Sequence, residues 1–125
     1  MMKRLAIAFA AALVASSAAY AAEPAKTMDS SLGKILVDMN GMTLYTFDKD
    51  EKGKSNCYDQ CAANWPAFMV AADAKAEGDW TIVVRTDGGK MWAYDGKPLY
   101  FFIKDKKAGD TNGEGMGGIW HVFKE

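Results

Sequence analysis

A shift of 55 positions lays residues 36–69 of this chain on residues 91–124 without a gap. An internal repeat constrains the fold more than any other feature here, because each copy is one supersecondary unit that buries its apolar face against the other. Gly41 falls on Gly96, Leu44 on Leu99, Tyr45 on Tyr100 and Phe47 on Phe102. Lys49, Asp50 and Lys52 match Lys104, Asp105 and Lys107, while Trp65 matches Trp120 and Phe68 matches Phe123. These nine identities among 34 pairs concentrate on glycine and aromatics, the residues hardest to replace in a turn or a core, so the repeat is structural.

Each copy opens as a hairpin. Ile35–Met39 and Met42–Phe47 flank Asn40-Gly41, and Met91–Tyr94 and Lys97–Phe102 flank Asp95-Gly96. Both dipeptides supply the two positive-φ positions of a type I′ turn, whose twist matches the strands it joins. Tyr45 and Phe47 share one strand face, and so do Tyr100 and Phe102. Further strands are expected over Trp80–Arg85, before the turn Asp87-Gly88-Gly89, and over Ile119–Phe123. One short helix is expected from Cys57 to Asn64, capped by Ser55 or Asn56 and stopped before Pro66, with a second helical turn near Ala71–Ala76. The expected fold is mainly β: a small antiparallel sheet domain of two pseudo-symmetric hairpin repeats with one cysteine-containing helix.

Residues 1–21 read as a signal peptide. Lys3 and Arg4 precede an apolar run from Leu5 to Val14, and Ala19-Tyr20-Ala21 places cleavage before Ala22. The run is too short to span a bilayer, which takes about 20 apolar residues. Residues 22–31 read as a flexible leader and 32–125 as one β-rich domain. After cleavage the balance is about -3, with lysine and arginine interspersed among acids. That pattern excludes a nucleic-acid footprint, which needs clustered positive charge.

Three ordered motifs resemble a known family. They are Gly41-x-x-Leu44-Tyr45-x-Phe47-x-x-Asp50, its copy Gly96-x-Pro98-Leu99-Tyr100-x-Phe102-x-x-Asp105, and Cys57-x-x-x-Cys61-Ala62-x-x-Trp65-Pro66 between them. With Gly109-Asp110, Gly113-x-Gly115 and Gly118-Ile119-Trp120-His121-Val122, they are similar to the bacterial secreted repeats, predicted lipoproteins with a Tyr-x-aromatic-x-x-Asp motif and no known function. The resemblance runs from Leu32 to Phe123 and implies export to the cell envelope. Many relatives look like lipoproteins, but this leader has no cysteine to acylate, so a soluble protein in the periplasm or outside the cell is expected.

Candidate chemistry is sparse. Cys57 and Cys61, the only cysteines, default to a disulfide in an oxidising compartment. On one regular helix their Cα atoms would lie about 6.2 Å apart, within bonding range. The alternative is a redox dithiol, although the spacing is one residue longer than Cys-x-x-Cys and Asp59 would raise a thiol pKa. His121 is the only histidine, which leaves no pair of imidazole ligands. With a thioether from Met28, Met39, Met42, Met69, Met91 or Met116 it offers soft copper-type ligands, but methionine is also a common core filler. Asp50 and Asp105 would serve a glycosidase only if they converged, and otherwise end strands by accepting nearby N–H groups. Gly113–Gly118 reads as a loop or a ligand lid. Tyr58 and Trp80 fall outside the residues matched between the repeats and are expected at the surface.

No catalytic set is complete. The expectation is a non-enzymatic cell-envelope domain without a cofactor, binding an unknown small ligand or protein partner on a surface between its repeats. His121, Met116, Tyr58 and Trp80 are its candidate ligand residues. The alternative is a periplasmic redox or metal-handling protein of copper type.

Overall fold

A computed structural model describes residues 23–125. The expected signal peptide and its cleavage site lie outside the described residues. Seven strands form three antiparallel sheets among them: β1 (Ala25–Ser30) with β2 (Gly33–Asp38), β3 (Tyr45–Phe47) with β7 (Trp120–Val122), and β4 (Trp80–Val84), β5 (Lys90–Tyr94) and β6 (Lys97–Pro98) in that order. A helix α1 (Gln60–Asn64) and a 3-10 turn (Met116–Gly118) complete the regular elements. The chain is mainly β and built from two repeats.

Each repeat begins one strand earlier than the identities suggest. Ala25–Ser30, expected within a flexible leader, is β1 and pairs with β2 over all six residues. Its counterpart β4 pairs with β5 in the same way. β1 carries Lys26 and Asp29 and turns only Ala25 fully inward, so its apolar alternation is faint.

The two hairpin turns differ by one residue. Asp95 and Gly96 both have positive φ, and Tyr94 pairs with Lys97 around a two-residue loop. In the first repeat Gly41 alone has positive φ, so Asn40-Gly41 is not the expected type I′ turn. Asp38 N–H donates to Met42 O across a three-residue loop, and Asp38 Oδ1 accepts from the Asn40 and Met42 N–H groups. The aspartate side chain organises the longer loop, as Asp does in turns. Before the loop, residues therefore correspond at a shift of 56. Leu36 N–H donates to Phe123 O as Trp92 N–H donates to Phe68 O, and Leu44 N–H reaches Leu36 O as Leu99 N–H reaches Trp92 O.

Helix α1 is shorter than expected. It starts at Gln60 after Asp59, which has φ 55 and makes no side-chain cap. Ser55 and Asn56 do not cap it: the Ser55 hydroxyl meets Tyr100, and the Asn56 side chain bonds Lys49 O. Cys57 precedes the helix and bonds Cys61 inside it, with Cα atoms 5.2 Å apart rather than the 6.2 Å of one continuous helix. Around Ala71–Ala76 the chain makes a turn, with Ala74 N–H on Ala71 O, and no helix.

The repeats meet about a pseudo-twofold axis between Tyr45 and Tyr100. Tyr45 N–H donates to Tyr100 O at 2.8 Å and Tyr100 N–H returns to Tyr45 O at 3.0 Å. Tyr45 then pairs with Val122 as Tyr100 pairs with Ala67. One buried cluster, including Ile35, Val37, Met91, Ala93 and the motif aromatics, fills one side of this arrangement. A second, of Ala25, Leu36, Leu44, Trp80, Trp92 and Leu99, fills the other.

Candidate functional site

The space between the repeats is occupied by aromatic side chains from the motifs. Phe47 stacks on Trp120 at 4.2 Å, Trp120 on Trp65 at 3.8 Å, and Trp65 on Phe102 at 4.2 Å. Tyr45 and Tyr100 each meet the flanking tryptophan edge-on at 5.3 Å. Both tryptophans are buried. Gly113 makes room for the stack: a Cβ there would lie 2.6 Å from the Trp65 ring. The Gly113–Gly118 stretch is thus anchored under Trp65 at one end and folds into the 3-10 turn at the other.

Each motif aspartate serves the other repeat. Tyr45 Oη donates to Asp105 Oδ2 at 2.7 Å, and Tyr100 Oη donates to Asp50 Oδ2 at 2.6 Å. The second oxygen of each carboxylate accepts a backbone N–H, from Asn56 for Asp50 and Asn112 for Asp105. Those asparagines close the motif loops by donating to Lys49 O and Lys104 O. They are equivalent in space but stand 56 apart, so an ungapped comparison at 55 misses them. Burial raises both carboxyls above their ordinary value, against the lowering effect of the tyrosine hydroxyls and asparagine N–H groups. Burial likewise pushes both phenols far up. Each aspartate is committed to a tyrosine and a backbone N–H, which makes the pair a fastening rather than an acid–base couple.

Arg85 has no counterpart in the first repeat, where Ser30 stands at its place. It is buried, donates to Cys57 O at 2.7 Å and Ser55 Oγ at 3.0 Å, and lies 4.3 Å from the Tyr58 ring centroid. Since the Tyr100 proton goes to Asp50, Ser55 donates to Tyr100, giving a directed chain Arg85→Ser55→Tyr100→Asp50. Tyr58 is half-buried under the guanidinium. Burial pushes its phenol up, but the Thr86 N–H and the Arg85 charge outweigh that and hold it below its ordinary value.

The four candidate ligand residues have separate neighbours. His121 Nε2 is 2.9 Å from Asp48, and its Nδ1 is 3.7 Å from Glu114. Asp48 chiefly raises the imidazole pKa, helped by Glu114. Met116 is exposed in the 3-10 turn before β7. Trp80, expected at the surface, is only 5% exposed because its ring meets Trp92 edge-on at 5.8 Å and tilts against Tyr94 at 4.7 Å. Among the described residues, no group of three His, Cys, Asp or Glu side chains could hold a metal ion.

Cavities open on the surface of the described residues, two of them bearing on the repeats. The smaller, about 360 Å³, lies between the repeats and is lined by Phe47, Asp50, Lys52, Asp95 and Lys97 among others. The larger, about 1130 Å³, lies where the segment joining the repeats passes over the β4–β5 hairpin. Its floor is Phe68, Trp80, Trp92 and Tyr94, and its rim runs through residues 71–79 to Glu23 and Pro24. The strand registers equate Trp80, Trp92 and Tyr94 with Ala25, Leu36 and Asp38, so this aromatic floor is not a product of the repeat. Trp80 Nε1, in its wall, is buried without a hydrogen-bond partner. The ungapped comparison starts at residue 91 and omits Trp80, while its shift sets Trp92 and Tyr94 against Val37 and Met39.

The family profile described as a secreted repeat of unknown function matches residues 26–69 and again 81–124. Both matches begin within the outer strands β1 and β4. No curated protein and no solved structure matches the chain. No helix of the described residues is long and apolar enough to cross a membrane.

Proposed function

The chain belongs to the family of secreted repeats of unknown function, and from that premise we propose that it is a non-enzymatic binding module of the cell envelope, soluble in the periplasm after loss of its signal peptide. Its ligand sits in the larger groove. One observation carries this reading: a scaffold with a repeated backbone departs from its symmetry to build an open cavity lined by Phe68, Trp80, Trp92 and Tyr94. Concave sites with an apolar floor and a few polar groups are where ligands bind.

Native mass spectrometry of the protein released from the cell envelope tests the reading, with Ala74→Trp as a variant that fills the groove. A bound species on the wild type that is lost from Ala74→Trp is the expected result. Bare protein in both samples, or an equally loaded variant, overturns it.

A further inference from the structure

The rim of the larger groove is charged with one sign. Glu23, Asp73, Glu77 and Asp79 are exposed there beside a single base, Lys75. None of the four carboxylates takes part in an ion pair among the described residues. The negative field reaches the floor: the Tyr94 phenol is raised first by desolvation and then by Glu125, Asp79, Glu23 and Asp95. A cavity of about 1130 Å³ also exceeds the roughly 300 to 1,000 Å³ usual for one small molecule, and its open shape suits a stretch of chain.

We propose that this groove takes an extended, arginine- or lysine-bearing segment of a partner protein, its cationic side chain laid against Phe68 and Tyr94, the half-buried rings of the floor, between the rim carboxylates. Aromatic faces attract guanidinium and ammonium groups, and the exposed acids supply the complementary field. The proposal rests on the groove reading above and names the chemistry of its ligand. The smaller cavity does not compete for that ligand. Of its four acids, Asp48 is paired with His121 and Asp50 with Tyr100, and the remaining two, Glu51 and Asp95, are balanced by two lysines, Lys52 and Lys97.

The test uses a tetra-arginine peptide titrated calorimetrically into the exported protein. Asp73→Asn/Glu77→Gln/Asp79→Asn neutralises the rim, and Asp29→Asn/Glu51→Gln/Asp59→Asn removes the same charge elsewhere on the surface. Saturable binding is expected to weaken about tenfold in the rim variant, the size for three exposed charge pairs, and by less than about twofold in the other. Equal weakening in both would reduce the binding to overall charge and overturn the proposal. So would failure of the wild type to bind the peptide. If the peptide fails while Ala74→Trp still strips the species found by native mass spectrometry, only the cationic ligand is wrong and the groove reading stands.

Discussion

The axis between the repeats and the larger groove obey different rules. At the axis the stack, the reciprocal Tyr45–Tyr100 bridge and the crossed tyrosine–aspartate bonds recur on both sides with nearly equal distances. At the groove, Trp80 stands in the place of Ala25 and Trp92 in that of Leu36. Side chains at the axis touch the other copy, so a change in one copy is felt immediately in the other. Those at the groove have no such partner, which is where we propose the ligand site.

Removing a ring from the stack is the strongest way to break the comparison. Trp65→Ala and Trp120→Ala should each destabilise by about 3 to 5 kcal/mol, the range for emptying a large buried site, and by similar amounts in both copies. Denaturant unfolding checks this, and losses below about 1 kcal/mol in both would show that the stack does not hold the repeats together.

The crossed fastenings come next. Tyr45→Phe and Tyr100→Phe each leave a carboxylate without its hydroxyl, and each should cost about 1 to 3 kcal/mol. A Tyr100 loss that exceeds the Tyr45 loss would place the Arg85 chain inside the symmetric region. The pH dependence has a definite sign. Both aspartates have folded pKa values above the ordinary carboxylate value. Their contribution is therefore full below that value and is lost as pH rises through the folded pKa. Wild type should exceed Asp105→Asn in unfolding free energy by more at pH 3.5 than at pH 7.

Cys57 and Cys61 belong to one copy only. The double variant Cys57→Ala/Cys61→Ala should lose roughly 2 kcal/mol, as closing so short a loop predicts, and keep its fold. Collapse of the fold would make the clip an organising element rather than a local one. The smallest effect concerns His121, whose raised pKa depends first on Asp48. Asp48→Asn should lower the imidazole midpoint in a proton NMR titration. The His121 contribution to stability is full below the unfolded pKa and fades as pH rises through the folded one.

How far the sequence was legible follows the same division. Tyr45, Phe47, Trp65 and their copies announced the axis, because residues bound by symmetry stay identical and a simple shift finds them. The disulfide was legible from cysteine count and context. The extra residue in the Asp38–Met42 loop hid the match of Leu36 with Trp92 and of Val37 with Ala93, since one insertion changes the shift from 56 to 55. β1 was missed because Lys26 and Asp29 on an outer strand imitate a polar leader. The groove was illegible for a deeper reason: the β4–β5 hairpin sets Trp80 opposite Tyr94, but only tertiary packing brings Phe68, Glu23 and residues 71–79 around that pair.

The crossed fastenings also set the pace of folding. Tyr45 finds Asp105 across 60 residues and Tyr100 finds Asp50 across 50, so neither motif completes itself with nearby chain. The entropy of closing those long loops is lost before the contacts repay it, which slows a β fold toward the millisecond-to-second range. A first repeat emerging alone lacks half of its ring stack and the hydroxyl for its aspartate. It stays unfinished until the second repeat arrives.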